Sequence, residues 1–138
     1  MNRQTTTSLG LLLLRVTFGC LMLVHGLQKL NGFSELADSF SDPLEMGSRL
    51  SLIAAIGAEV GCSLLLIIGL GTRFATVPLA FTMLIALFVV HAEHEWKVKE
   101  LAACYLAVYA VIAISGPGIF SIDHLISRRS AKTDSSEP

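Results

Sequence analysis

The stretch LGLLLLRVTFGCLMLVHGLQKL (Leu9–Leu30) decides how this chain is read. It is long enough to cross a bilayer as one helix, which takes about 20 residues. It also carries Arg15 in its apolar body, and a second apolar block, Leu50–Leu70, carries Glu59 near its middle. A charge at bilayer depth costs about 2.5–3.5 kcal/mol on insertion scales, so such groups pair or line a cavity instead of facing lipid. If the two helices are antiparallel, Arg15 lies about 21 Å below Lys29 and Glu59 about 13 Å below Leu50. The remaining gap of about 8 Å predicts that Arg15 and Glu59 meet. Such a pair is either a lock on helix register or a proton-accepting carboxylate beside a ligand, tuned by the arginine.

Two more apolar blocks follow, Phe74–Val90 and Leu101–Ser115. Both are short, and reach spanning length by recruiting Arg73, His91 and Ala92, or Lys99 and Glu100, whose long side chains snorkel to the interface. The apolar fraction is 53% and the charged fraction 15%, against about 45–50% and 25% in soluble chains. The expectation is an all-α, four-helix transmembrane bundle with a short interfacial helix at the C-terminus. The first block is too long for a signal peptide, contains Arg15, and lacks a small-residue cleavage site. A net charge of −1 argues against a nucleic-acid partner and leaves the lipid bilayer as the first one. With four spans, Arg3, Arg73, Arg128, Arg129 and Lys132 share one side; Lys29, Arg49, Lys97 and Lys99 share the other with most of the acids. The cluster in the tail favours both termini in the cytoplasm of a bacterial inner-membrane protein. Cys20, Cys62 and Cys104 form no Cys-x-x-Cys and read as small apolar residues.

Along the chain, Thr5–Ser8 offers N-caps for the first helix, which Asn31-Gly32 stops. Arg15, Gly19, Met22, Gly26 and Lys29 fall on one face of it, with His25 alongside. Phe33–Arg49 reads as an acidic outer loop in which Phe33, Leu36 and Phe40 form a short amphipathic turn. Gly57 and Gly61 make a close-packing motif on the second helix. Gly69–Thr72 is a tight turn, and Pro78 falls in the first turns of the third helix. Gly116, Pro117 and Gly118 end the fourth helix; Ser121 caps a following amphipathic helix, and Asp123 is placed to accept backbone N–H groups. The sequence divides into one domain over residues 1–127 and a disordered cytoplasmic tail over 128–138.

The primary candidates for a ligand site are Arg15, His25, Lys29 and Glu59. His91, His94, Glu100 and Tyr105 are secondary candidates near the outer end. His91 and His94 share a helical face, and His25 would complete a three-nitrogen site for a metal or haem; the plainer reading leaves them as interfacial residues beside solvated acids. Tyr105 and Tyr109 either turn hydroxyls into the same cavity or simply pack.

Placed in order, these features resemble the DoxX family of small bacterial four-helix membrane proteins. The resemblance is carried by Leu14-Arg15, by His25-Gly26-x-x-Lys29, by Glu59 with Gly69-Leu70-Gly71-Thr72-Arg73, and by Gly116-Pro117-Gly118-x-Phe120-Ser121-Ile122-Asp123. It implies association with membrane redox chemistry, including quinone-reducing complexes and protection against oxidative stress. The leading expectation is a component of a membrane redox system that binds quinone or another lipophilic ligand, with redox-complex proteins as partners. The alternatives are a non-catalytic subunit or scaffold, and a small-solute transporter. Whether the chain is itself an oxidoreductase subunit with a catalytic residue stays open, as does assembly into a homo-oligomer.

Overall fold

A computed structural model describes residues 2–134, with side chains described as far as Ala131. The described residues are helical or in turns and contain no strand. Four helices are long and apolar enough to cross a membrane: Arg3–Asn31, Ser48–Ile68, Thr72–Val90 and Trp96–Ser115. They form a bundle in which the first span packs on the second and fourth, and the third on the second and fourth. A short helix, Phe33–Leu36, follows the first span, and Ile122–Asp134 follows the fourth.

The surface explains the medium. Phe74, Ile114 and Val77 are 86%, 79% and 64% exposed, a poor arrangement in water but the expected one in hydrocarbon, where helices satisfy their own backbone. The interior is small: Met22, Leu66, Leu79, Met83, Ala102, Tyr105, Tyr109 and Ile112 form its core. On the first span the buried positions are Ser8, Leu11, Arg15, Gly19, Met22 and Gly26. That is a single stripe at spacings of three and four, the face anticipated from the sequence.

Two glycines of that stripe set the helix separation. A Cβ on Gly19 would lie 2.7 Å from Ile67 Cγ1, and one on Gly26 would lie 2.8 Å from Val60 Cγ2 and 2.9 Å from Glu59 Cβ. The second span therefore lies against the backbone of the first. Gly57 and Gly61, expected to be the close-packing motif, behave differently: a Cβ on either would meet nothing within 4 Å. Their face points out of the bundle, because Gly19 and Gly26 provide the close approach from the other helix.

Several boundaries also move. The first helix begins at Arg3, not at the Thr5–Ser8 caps. Thr6 and Thr7 donate their hydroxyls back to the carbonyls of Asn2 and Arg3, at 3.3 and 3.1 Å, as threonines inside a first turn do. The fourth span starts at Trp96 and so includes Lys99 and Glu100. The C-terminal helix continues to Asp134, past residue 128 where a disordered tail was expected; residues 135–138 lie outside the described residues.

Two stretches are wound as π-helix, Gly57–Cys62 in the second span and Ala86–Val90 at the end of the third. Such segments insert one extra residue into a turn and often accompany functional sites.

Candidate ligand-binding cavity

A cavity of about 510 Å3 opens in the half of the bundle distant from the termini, and all four spans line it. Most of its wall is apolar, including Met22, Ala54, Ala58, Phe81, Met83 and Leu101. Its polar groups are His25 and Lys29 from the first span, Glu59 from the second, His91 after the third and Tyr105 from the fourth.

Lys29 and Glu59 are paired. Lys29 Nζ donates to Glu59 Oε1 at 2.7 Å and to Oε2 at 2.6 Å. The Glu59 side chain is 3% exposed and that of Lys29 27%, so the carboxylate is held inside while the ammonium keeps one edge open. A lysine side chain leans toward the N-terminus of its helix, which brings the Lys29 head down to the level of Glu59. Gly26, one turn earlier, has no side chain to obstruct that contact. The Tyr105 ring is edge-on to both His25, at 6.1 Å between centroids, and Phe18, at 5.5 Å. Tyr105 therefore braces His25 from behind, and Tyr109 stands 5.9 Å further along.

The loop after the first span closes one side through Phe40, Pro43, Leu44 and Met46. Asp42 fastens it: its carboxylate accepts from the Ser51 hydroxyl at 2.6 Å and from the backbone N–H groups of Gly47 and Met46 at 2.7 and 3.0 Å. These bonds, with Ser51 foremost, hold the Asp42 carboxyl below its usual range despite a small opposing effect of desolvation.

Arg15 does not join this group, and the expected Arg15–Glu59 pair is not formed. Arg15 Nε donates to the carbonyl of Leu66 at 3.0 Å, and Nη2 to those of Ile67 and Phe120 at 3.3 and 3.1 Å. Nη1 donates to the carbonyl of Pro117. Leu66 is seven residues beyond Glu59, about 10 Å further along the helix. The sequence arithmetic assumed that the two helices end level, and they do not. Arg15 thus serves the other end of the bundle, where it satisfies carbonyls left over as the second span terminates.

That end is organised by the Gly116–Asp123 turn. Gly116 and Gly118 adopt φ of 81° and 75°, conformations that favour glycine. Ser121 Oγ accepts from the His124 N–H at 3.1 Å and donates to the Gly118 carbonyl at 2.7 Å. Asp123 accepts from the N–H groups of Gly71 and Thr72 at 2.7 and 2.9 Å, capping the third span from the C-terminal helix.

Of the secondary candidates, His91 and Tyr105 reach the cavity, whereas His94 and Glu100 are exposed and do not line it. His94 instead stacks edge-on against His91, with centroids 5.1 Å apart. Among the described residues no three His, Cys, Asp or Glu side chains are gathered as a metal site, so the three-nitrogen arrangement is not assembled. Sequence reasoning missed the π segments and the Asp42 clasp. Asp42-Pro43 marked only a turn, and nothing local signals a π-helix.

Fold and site together define a multi-pass, four-helix membrane protein with an ion-paired, mostly apolar cavity between its spans. Residues 10–92 match DoxX, and the chain belongs to the DoxX family. The match covers the first three spans; the Gly116–Asp123 turn lies outside it. The chain is also similar to an uncharacterised protein of Haemophilus influenzae, 28% identical over 130 residues that cover 88% of this chain and 86% of that protein. No solved structure matches it.

Proposed function

We propose that this protein is an inner-membrane component of a redox system that binds a quinone, or a similar polar-headed lipophilic molecule, in the cavity beside Lys29 and Glu59. The observation that carries the reading is that buried ion pair, set in an otherwise apolar wall of about 510 Å3. A few placed polar groups in a largely apolar cleft are what a small-molecule site consists of. Lys29 has three N–H donors, and the pair with Glu59 leaves one for a ligand carbonyl. Glu59 then holds the counter-charge, and beside it His25 can exchange a proton. An apolar body suits the remaining wall, and a hydrocarbon tail would leave between helices into lipid. Family membership supports a redox setting and names no ligand.

The test is equilibrium binding of a short-tailed benzoquinone to the purified protein in nanodiscs. Lys29→Met alone strands a buried carboxylate, which costs about 3–5 kcal/mol. The informative variant is therefore Lys29→Met with Glu59→Gln, which removes both charges and retains the fold. We expect its Kd to rise at least tenfold, about 1.4 kcal/mol, with helical content unchanged. An unchanged Kd in this folded double variant would remove the ligand site and favour a non-catalytic subunit.

A further inference from the structure

Resting on the ligand site proposed above, we infer that His91 is a second polar anchor in the same cavity, selecting ligands that carry two oxygens at opposite ends of a flat apolar ring. Lys29 and His25 project from the first span, whereas His91 closes the third. These two spans stand diagonally in the bundle, each packed on the second and fourth. The polar groups of the cavity are therefore divided between facing walls, with apolar side chains such as Met22 and Met83 between them.

The state of the His91 ring supports a binding role. Its Nδ1 is buried and has no hydrogen-bond partner. A buried polar nitrogen left unpaired is costly, and native structures seldom keep one without a reason. The edge-on contact with His94 restrains the ring from its outer side.

The backbone determines where that ring points. The His91 N–H donates to the Ala86 carbonyl at 2.9 Å, five residues back, so the π segment Ala86–Val90 closes on His91 itself. One residue inserted in a helix turns everything after it by about 100°. Ala86 and Val90 line the cavity together with His91, so the π winding is what brings the histidine onto this wall. Glu59 lies within the other π segment. Each of the two distorted turns thus presents one polar side chain to the same space, on different spans.

A ligand with one polar end would engage Lys29 and leave His91 Nδ1 unpaired. A ligand with two opposed carbonyls satisfies both walls, and this difference is the source of the selectivity. The experiment compares tetramethyl-para-benzoquinone with the corresponding tetramethylphenol, which keeps the ring and methyl groups but has a single oxygen. Wild type should bind the quinone more tightly. His91→Leu should weaken the quinone by about tenfold or more and leave the phenol unchanged, and His91→Gln, which keeps a hydrogen-bonding group, should recover part of the loss. If wild type binds the quinone and His91→Leu weakens neither probe, or both equally, the second anchor is overturned while the ligand site stands. If wild type binds neither probe, both readings fall together.

Discussion

At Arg15 four main-chain carbonyls, from Leu66, Ile67, Pro117 and Phe120, converge on one guanidinium. Only arginine offers five donors in a rigid fork, so a lysine here keeps the charge but not the geometry. Each carbonyl left buried without a donor costs about 1–3 kcal/mol. We expect Arg15→Leu to destabilise the bundle by at least about 3 kcal/mol and Arg15→Lys by less, measured by denaturation in mixed micelles. A ligand affinity unchanged in folded Arg15→Lys would agree with a position remote from the cavity. The Lys29–Glu59 pair belongs to the opposite end, so the two intramembrane cations have separate tasks. Arg15 ties the end of the second span to the Gly116–Ser121 turn, and Lys29 keeps a carboxylate ionised inside the cavity wall.

At the scale of elements, the C-terminal helix is attached to the bundle through its first turn. Asp123 caps the third span from outside that span, an unusual source for an N-cap, which normally comes from the same helix. Burial would raise its carboxyl, but the N–H groups of Thr72 and Gly71 outweigh that, and with the charge of Arg15 they hold it below its ordinary value. A depressed carboxyl contributes stability that is fully present above its unfolded value, about 3.9, and is lost as pH falls through the folded one. We therefore expect Asp123→Asn to be less stable than wild type at pH 7 by about 1 kcal/mol, the usual worth of a cap. Below about pH 3 the two melting curves should converge, because protonated Asp123 is then as neutral as the asparagine. A gap that persists unchanged at low pH would mean that the carboxylate is not what holds the cap.

For the whole molecule, the chain alternates direction four times, so the first span begins and the fourth ends on one side. The Ser8 hydroxyl accepts from the Ile119 N–H at 3.2 Å, which ties those two points together. We propose that this side is cytoplasmic, from Arg73, Arg128 and Arg129 near it. A fluorescent protein fused after Pro138 should then fold and fluoresce, and a cysteine replacing His94 should react with an impermeant maleimide in intact cells. The reverse pattern would invert the topology and turn the cavity toward the cytoplasm.

The sequence by itself determined the medium, the number of spans and the polar stripe of the first helix, because each depends on composition or on a 3.6-residue period within one segment. Local chemistry also marked Gly116–Asp123 as a helix stop followed by a cap. Only the tertiary structure decided which charges meet. Arg15 reaches Pro117 across 102 positions of sequence, and the relative height of two helices is set by packing at Gly19 and Gly26, which no spacing rule supplies. The same holds for His91, whose direction follows from a π turn that rotates it onto the cavity wall. A single-helix pattern fixes the face of a residue. Its partner depends on the register between helices, and that is a property of the assembled bundle.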